Sequence, residues 1–84
     1  MRQVTVYTTD PCARCGKVKA LLDRHGIDFE EVNLAKDPDG RTELAARTGL
    51  MTFPQVVIGE MSIGGLDDLE AAEASGRLVE LVDA

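Results

Sequence analysis

The sequence predicts an α/β domain in which a small mixed β-sheet carries packed helices. Three observations lead to that class: apolar residues alternate before residue 10, follow a helical stripe from residue 12, and return in β-branched runs near residues 55–63. The implied order is βαβ, then α, then ββ and α. Its first unit should be a right-handed parallel crossover.

Gln3 to Thr8 reads as the first strand, with Val4, Val6 and Thr8 on one side and Thr5 and Tyr7 on the other. Asp10-Pro11 breaks it. From Cys12 the period becomes helical, placing Cys15, Val18, Leu21 and Leu22 on one stripe and leaving Lys17, Lys19, Asp23 and Arg24 outside it. Gly26 is the expected C-terminal cap, and His25 reads as a helix-end residue near the negative end of the dipole. Ile27 to Leu34 forms the second strand, with Ile27, Phe29, Val32 and Leu34 in broken alternation. Asp37-Pro38-Asp39-Gly40 reads as a turn, followed by a short helix from Arg41 to Thr48 that Gly49 closes.

Thr52-Phe53-Pro54 leads into a third strand, Gln55 to Ile58, and Gly59-Glu60 suits a two-residue type II′ turn into a fourth, Met61 to Ile63. Gly64-Gly65 ends that hairpin and introduces a helix from Asp67 to Ser75, with Leu66, Leu69 and Ala72 three apart. Gly76 separates a last helical turn, Arg77 to Val82. No repeat, low-complexity stretch or linker interrupts the chain, so residues 1–84 read as one domain.

A chain of 84 residues buries roughly 60% or slightly more of the surface it exposes when unfolded, enough to fold without covalent staples. Its 44% hydrophobic and 29% charged content belongs to an ordinary globular domain. A net charge of −6 argues against nucleic acid as a partner, since such binders present a basic face. No apolar run is long enough to span a bilayer, and the N-terminus lacks a secretory pattern, so a cytoplasmic protein with no membrane partner is expected.

Cys12 and Cys15 are the only cysteines. At i and i+3 on a helix their Cβ atoms sit roughly 5–6 Å apart, close to what a disulfide needs. So short a loop constrains the unfolded chain little, so the bond would add little stability. The pair therefore reads as redox chemistry. Its alternatives are two small core residues or half a zinc site, for which only His25 and carboxylates remain as further ligands.

Three separated signals follow one another: Cys12-Ala13-Arg14-Cys15, then Thr52-Phe53-Pro54, then Gly64-Gly65-Leu66-Asp67-Asp68. With Val6-Tyr7-Thr8, Lys19-Ala20-Leu21-Leu22 and Pro54-Gln55-Val56 around them, they resemble the glutaredoxin family over nearly the whole chain. The resemblance implies a thioredoxin-like fold, a four-stranded mixed sheet with helices on both faces. It also implies a nucleophilic first cysteine, a cis proline beside it and a glutathione site across the Gly-Gly turn.

On this reading Cys12, at a helix N-terminus, is the attacking thiolate, and Arg14 and Lys17 add positive potential. Cys15, on the apolar stripe, is the resolving thiol. The pattern alone leaves the Phe53–Pro54 bond open between cis and trans; the family implies cis, with the Phe53 backbone pairing with an extended thiol peptide and Thr52 beside it. Gly65 allows close approach, and the N–H groups of Leu66 and Asp67 can hold a carboxylate. Asp67 or Asp68 calls for an ammonium on the same ligand, which the γ-glutamyl end of glutathione supplies. The alternative makes Asp67 a helix N-cap with Glu70 as its partner. Arg41 stands where the family often binds the glycine carboxylate of glutathione, or is a solvated surface arginine.

The chain departs from the family in replacing Cys-Pro-Tyr-Cys by Cys12-Ala13-Arg14-Cys15, in Thr9 where a lysine is usual, and in Leu66 where a cysteine or polar residue is common. The first functional expectation is a monomeric dithiol oxidoreductase. It would reduce protein disulfides or glutathione mixed disulfides, with glutathione or another low-molecular-weight thiol as reductant. The second is a redoxin reduced by thioredoxin reductase and serving ribonucleotide reductase, a class that generally lacks the Gly64–Asp68 pattern. The third is a [2Fe-2S] cluster shared by two chains through Cys12 and bound thiol, which Ala13 would not obstruct.

Overall fold

A computed structural model describes residues 2–83. In chain order it contains β1 (Val4–Thr8), α1 (Ala13–Arg24), β2 (Glu30–Asn33), α2 (Pro38–Thr48), β3 (Gln55–Ile58), β4 (Met61–Gly64), α3 (Leu66–Ala74) and α4 (Arg77–Asp83). The sheet order is β2-β1-β3-β4. β1 runs parallel to β2 and antiparallel to β3, which pairs antiparallel with β4. This is the small mixed sheet expected from the sequence pattern, in the four-stranded thioredoxin-like form that the resemblance implies.

Period-two alternation decides which side of the sheet each residue serves. Val4 and Val6 of β1 and Val56 and Ile58 of β3 join Val18, Leu21 and Leu22 of α1 in one buried cluster. Leu66, Leu69 and Ala72 of α3 and Leu78 and Val82 of α4 complete it. Gln55 alternates with Val56 and faces the other way, where its side-chain oxygen accepts a 2.9 Å hydrogen bond from Thr48 of α2. The buried Leu44 lies on that same helix. Helices therefore cover both faces.

The helical stripe of α1 is the one the periodicity predicts: Cys15, Val18, Leu21 and Leu22 are its buried residues. Its C-terminus closes around Gly26, whose φ of +65° only glycine adopts cheaply. Gly26 N–H donates to Asp23 O at 3.0 Å and Ile27 N–H to Leu22 O at 3.0 Å, the paired bonds of a Schellman cap. That cap explains why β2 is shorter than the alternation over Ile27 to Leu34 suggests. Ile27 is buried as the hydrophobic partner of the helix end, so its N–H is already committed.

Two other boundaries shift for reasons of capping. The Asp37-to-Gly40 segment is the first turn of α2 rather than a separate turn: the Asp37 carboxylate accepts from Gly40 N–H at 2.9 Å, and Pro38 occupies the first helical position. Proline is suited there because the N–H it lacks would have no helical partner. At α3 the N-cap is Gly65 and the capping carboxylate is Asp68, which accepts from Gly65 N–H at 3.1 Å; the Asp67–Glu70 pairing is not the one formed. The Gly59-Glu60 loop meets its expectation, with Ile58 opposite Met61 and a positive φ at Gly59 alone.

Glu31 of β2 accepts from the buried Thr8 hydroxyl at 2.8 Å and from Lys19 at 3.1 Å, joining β1, β2 and α1. The Thr8 hydrogen bond, then the one from Lys19, holds its carboxyl below the ordinary 4.5. A carboxyl more acidic in the folded chain stabilises it fully above the unfolded value and loses that contribution as pH falls through the folded one. Glu31→Gln should therefore lower stability by no more than about 1 kcal/mol near neutral pH, the pair being solvent-screened. Urea unfolding of both proteins as pH is lowered should show the gap closing below 4.5.

Candidate active site

The site begins where β1 ends. Thr9, Asp10 and Pro11 turn the chain into α1 with a cis bond before Pro11, a feature the sequence reading does not anticipate. Asn33 at the end of β2 donates to the Asp10 carboxylate at 3.0 Å, which ties this turn to the sheet. Cys12 then takes the N-cap position in an extended conformation, and its sulfur accepts from Cys15 N–H at 3.1 Å. An unpaired helix-start donor is thereby aimed at sulfur.

Cys12 and Cys15 form a disulfide with Cα atoms 5.3 Å apart, inside the usual span of about 4.4–6.8 Å. Only Cys12 is partly exposed; Cys15 lies buried on the α1 stripe. The two sulfurs thus differ in access, as a nucleophile and a resolving thiol would.

The Phe53–Pro54 bond is cis, and Pro54 is buried while Phe53 is half-buried. Across from it, a Cβ on Gly65 would sit 3.3 Å from the Pro54 carbonyl oxygen. At Gly64 a Cβ would collide with the Asp68 carboxylate, and φ is +112°. Gly65 thus answers to the approach of the α3 start to the lead-in of β3, and Gly64 to its positive φ and the Asp68 cap.

Between these segments lies a groove of about 380 Å³. Arg14 of the inter-cysteine pair forms one wall, Leu50 and Thr52 to Pro54 a second, and Gly65 to Asp68 a third. Of the residues singled out from the sequence for ligand binding, Arg14, Thr52, Phe53, Pro54, Gly65, Leu66 and Asp67 converge here. Arg41 lies outside the groove, and its Nη1 donates to the carbonyls of Leu34 at 2.6 Å and Ala35 at 3.0 Å. Leu50 is an addition that periodicity could not supply, because it sits in irregular chain between α2 and β3. A larger hollow of about 510 Å³ opens between β4 and the α3–α4 pair, away from both cysteines.

The electrostatics differ from the simplest expectation. Arg14 donates to the Asp67 carboxylate at 2.9 Å, so its charge is shared with the start of α3 instead of being directed only at Cys12. Asp68 is occupied with the Gly65 N–H. The first intrahelical bond of α3 runs from Leu69 N–H to Gly65 O, so the N–H groups of Leu66 and Asp67 precede it and are the orphan donors of that helix start. Among the described residues, no group of three or more His, Cys, Asp or Glu side chains is placed to hold a metal ion.

The loop that carries Leu50 to Phe53 is fastened from inside. Gln55, 1% exposed, donates to the carbonyls of Leu50 at 3.0 Å and Thr52 at 2.9 Å. Thr48 closes the circuit by accepting from Leu50 N–H at 3.2 Å.

Comparison with known proteins points in one direction. A family model described as glutaredoxin matches residues 4–63. A glutaredoxin of Pseudomonas aeruginosa is 45% identical over 84 residues, spanning 100% of both chains. The solution structure of a glutaredoxin from Brucella melitensis aligns with a TM-score of 0.86 at 43% identity, covering 98% of this chain and 89% of that one. A crystal structure of a buckwheat glutaredoxin–glutathione complex aligns with a TM-score of 0.88 at 30% identity, covering 98% of this chain and 77% of the other.

Replacing Gln55 by leucine keeps the buried volume but leaves two carbonyls and the Thr48 hydroxyl without these partners. The expected cost is about 1–3 kcal/mol in chemical denaturation. Amide exchange from Leu50 to Phe53 should accelerate in the same variant.

Proposed function

This chain belongs to the glutaredoxin family and is a dithiol thiol–disulfide oxidoreductase, and on that premise we propose that Cys12 is its nucleophile, Cys15 its resolving thiol and glutathione its reductant. The observation that carries the assignment of roles is the unequal setting of the two sulfurs. Cys12 caps a helix and is partly exposed, whereas Cys15 is 3% exposed.

In the reduced protein the helix start favours the Cys12 thiolate over the thiol. That thiolate attacks one sulfur of a substrate disulfide, forming a mixed disulfide and releasing the other sulfur as a thiolate that takes up a proton. Cys15, as thiolate, then attacks the Cys12 sulfur and releases the second substrate thiol. Two electrons have moved to the substrate, and the Cys12–Cys15 disulfide remains. Two glutathione molecules reverse the cycle. The first opens that disulfide at Cys12, and the second attacks the resulting mixed disulfide and leaves as oxidised glutathione.

The groove supports glutathione as the thiol that enters. Its Phe53 backbone offers an edge for the cysteinyl segment, the Leu66 and Asp67 N–H groups suit a carboxylate, and the Asp67 side chain suits an ammonium. The ammonium must share Asp67 with Arg14. The structure of a buckwheat relative in complex with glutathione gives further support. Arg41 is left out of this proposal, since its Nη1 serves the carbonyls at the β2–α2 junction.

A [2Fe-2S] cluster shared by two chains would take only Cys12 and a bound thiol from each, and a disulfide-bonded Cys12 must first be reduced to serve it. Protein disulfides, that of ribonucleotide reductase among them, remain targets within the same chemistry.

Cys12→Ser should abolish turnover of every disulfide offered. Cys15→Ser should still reduce glutathione mixed disulfides, which need only one thiol, while losing reduction of protein disulfides. NADPH oxidation should be coupled through glutathione and glutathione reductase and not through thioredoxin reductase. Turnover with thioredoxin reductase alone would replace the donor in this proposal.

A further inference from the structure

Four large apolar residues stand out as exposed among the described residues: Leu50 at 37%, Met51 at 85%, Met61 at 44% and Val79 at 54%. Two of them are consecutive and flank the active-site groove. Leu50 lines it, while Met51 projects into solvent beside it. An isolated exposed methionine needs no explanation, but this one sits between two carbonyls that a buried side chain ties to the sheet.

The holding is done by Gln55, a buried side chain devoted to the loop. It bonds the carbonyls of Leu50 and Thr52, its oxygen accepts from Thr48, and Thr48 in turn receives the Leu50 N–H. The carbonyls on both sides of Met51 are thus fixed while its side chain faces outward. A loop immobilised before any partner arrives has already met its ordering cost, which is the condition for an exposed apolar group to contribute affinity.

We infer that Leu50 and Met51 form an apolar ledge that receives the polypeptide segment flanking the target disulfide, and that Met51 selects protein substrates carrying an apolar side chain next to the attacked cysteine. The inference rests on the reading of Cys12 and the Phe53–Pro54 edge given above. A peptide whose sulfur reaches Cys12 and whose backbone lies along Phe53 continues over Met51, two residues away and at most about 7 Å along the chain. A small disulfide does not extend that far. The unbranched thioether of methionine adapts to varied apolar neighbours, which suits a reductase with several protein targets.

The test is a single-turnover reaction with pre-reduced protein, which needs no electron donor: the Cys12 and Cys15 thiols become a disulfide as the target disulfide becomes two thiols. Two disulfide-linked peptides are compared, one with leucine and one with serine on either side of the attacked cysteine, alongside 2-hydroxyethyl disulfide. Wild-type protein should react about five- to tenfold faster with the leucine peptide, the gain expected from partial burial of one apolar contact. Met51→Gln should abolish that preference, and Met51→Leu should preserve it. Val79→Gln, which removes an equally bare apolar group from α4, should preserve it too. Equal rates for the two peptides with the wild-type protein, or an unchanged preference in Met51→Gln, would overturn the ledge. Failure of the wild-type protein to reduce any of the three disulfides would overturn the dithiol reading on which it rests.

Discussion

The groove depends on one close approach. The start of α3 comes so near the lead-in of β3 that a single methyl at position 65 would sit 3.3 Å from the Pro54 carbonyl oxygen. Only glycine leaves that backbone room without displacing a neighbour. Phe53, before the cis bond, lines the same gap, and Asp68 fastens the Gly65 N–H from within α3. Residues far apart in the chain thereby form adjoining walls of a groove that Arg14, between the two cysteines, completes.

Charge around this groove is arranged more tightly than a net charge of −6 suggests. Asp67 and Asp68 are adjacent but have separate duties. Asp68 is spent on its own helix cap, whereas Asp67 faces Arg14 across the groove. Both members of that ion pair are well exposed, so it is weak in itself and open to exchange. A ligand with its own ammonium and carboxylate can replace it without leaving either charge unpaired. This is a physical reason for a zwitterionic thiol to be preferred over a bare anion at the start of α3.

Polar side-chain bonds, some at the surface and one set buried, hold the active-site segments to the sheet. Thr8 and Glu31 join two strands to α1 beneath the turn that leads to Cys12, and Asn33 holds that turn at Asp10. Gln55 does the same for the loop before the cis proline. With an apolar residue at position 55 the Leu50 and Thr52 carbonyls would lose their partners, and at position 31 the Thr8 hydroxyl and Lys19 would lose theirs.

Periodicity and capping in the sequence by themselves determined the element order, the α1 stripe, the type II′ hairpin and the redox character of Cys12 and Cys15, because these rest on contacts within a few residues. The resemblance to glutaredoxins added the cis proline and the members of the groove. Three boundaries differ through local capping, where donors and acceptors three to five residues apart compete for one another. Ile27 left the second strand for the α1 cap, Asp37-Pro38 began a helix it was expected to precede, and Asp68 took the capping role foreseen for Asp67. Tertiary structure alone decided that Arg14 meets Asp67 across 53 positions and Thr8 meets Glu31 across 23. Such contacts arise only when distant segments pack, and their partners are then chosen by which donors and acceptors are left unpaired, a condition no local pattern contains.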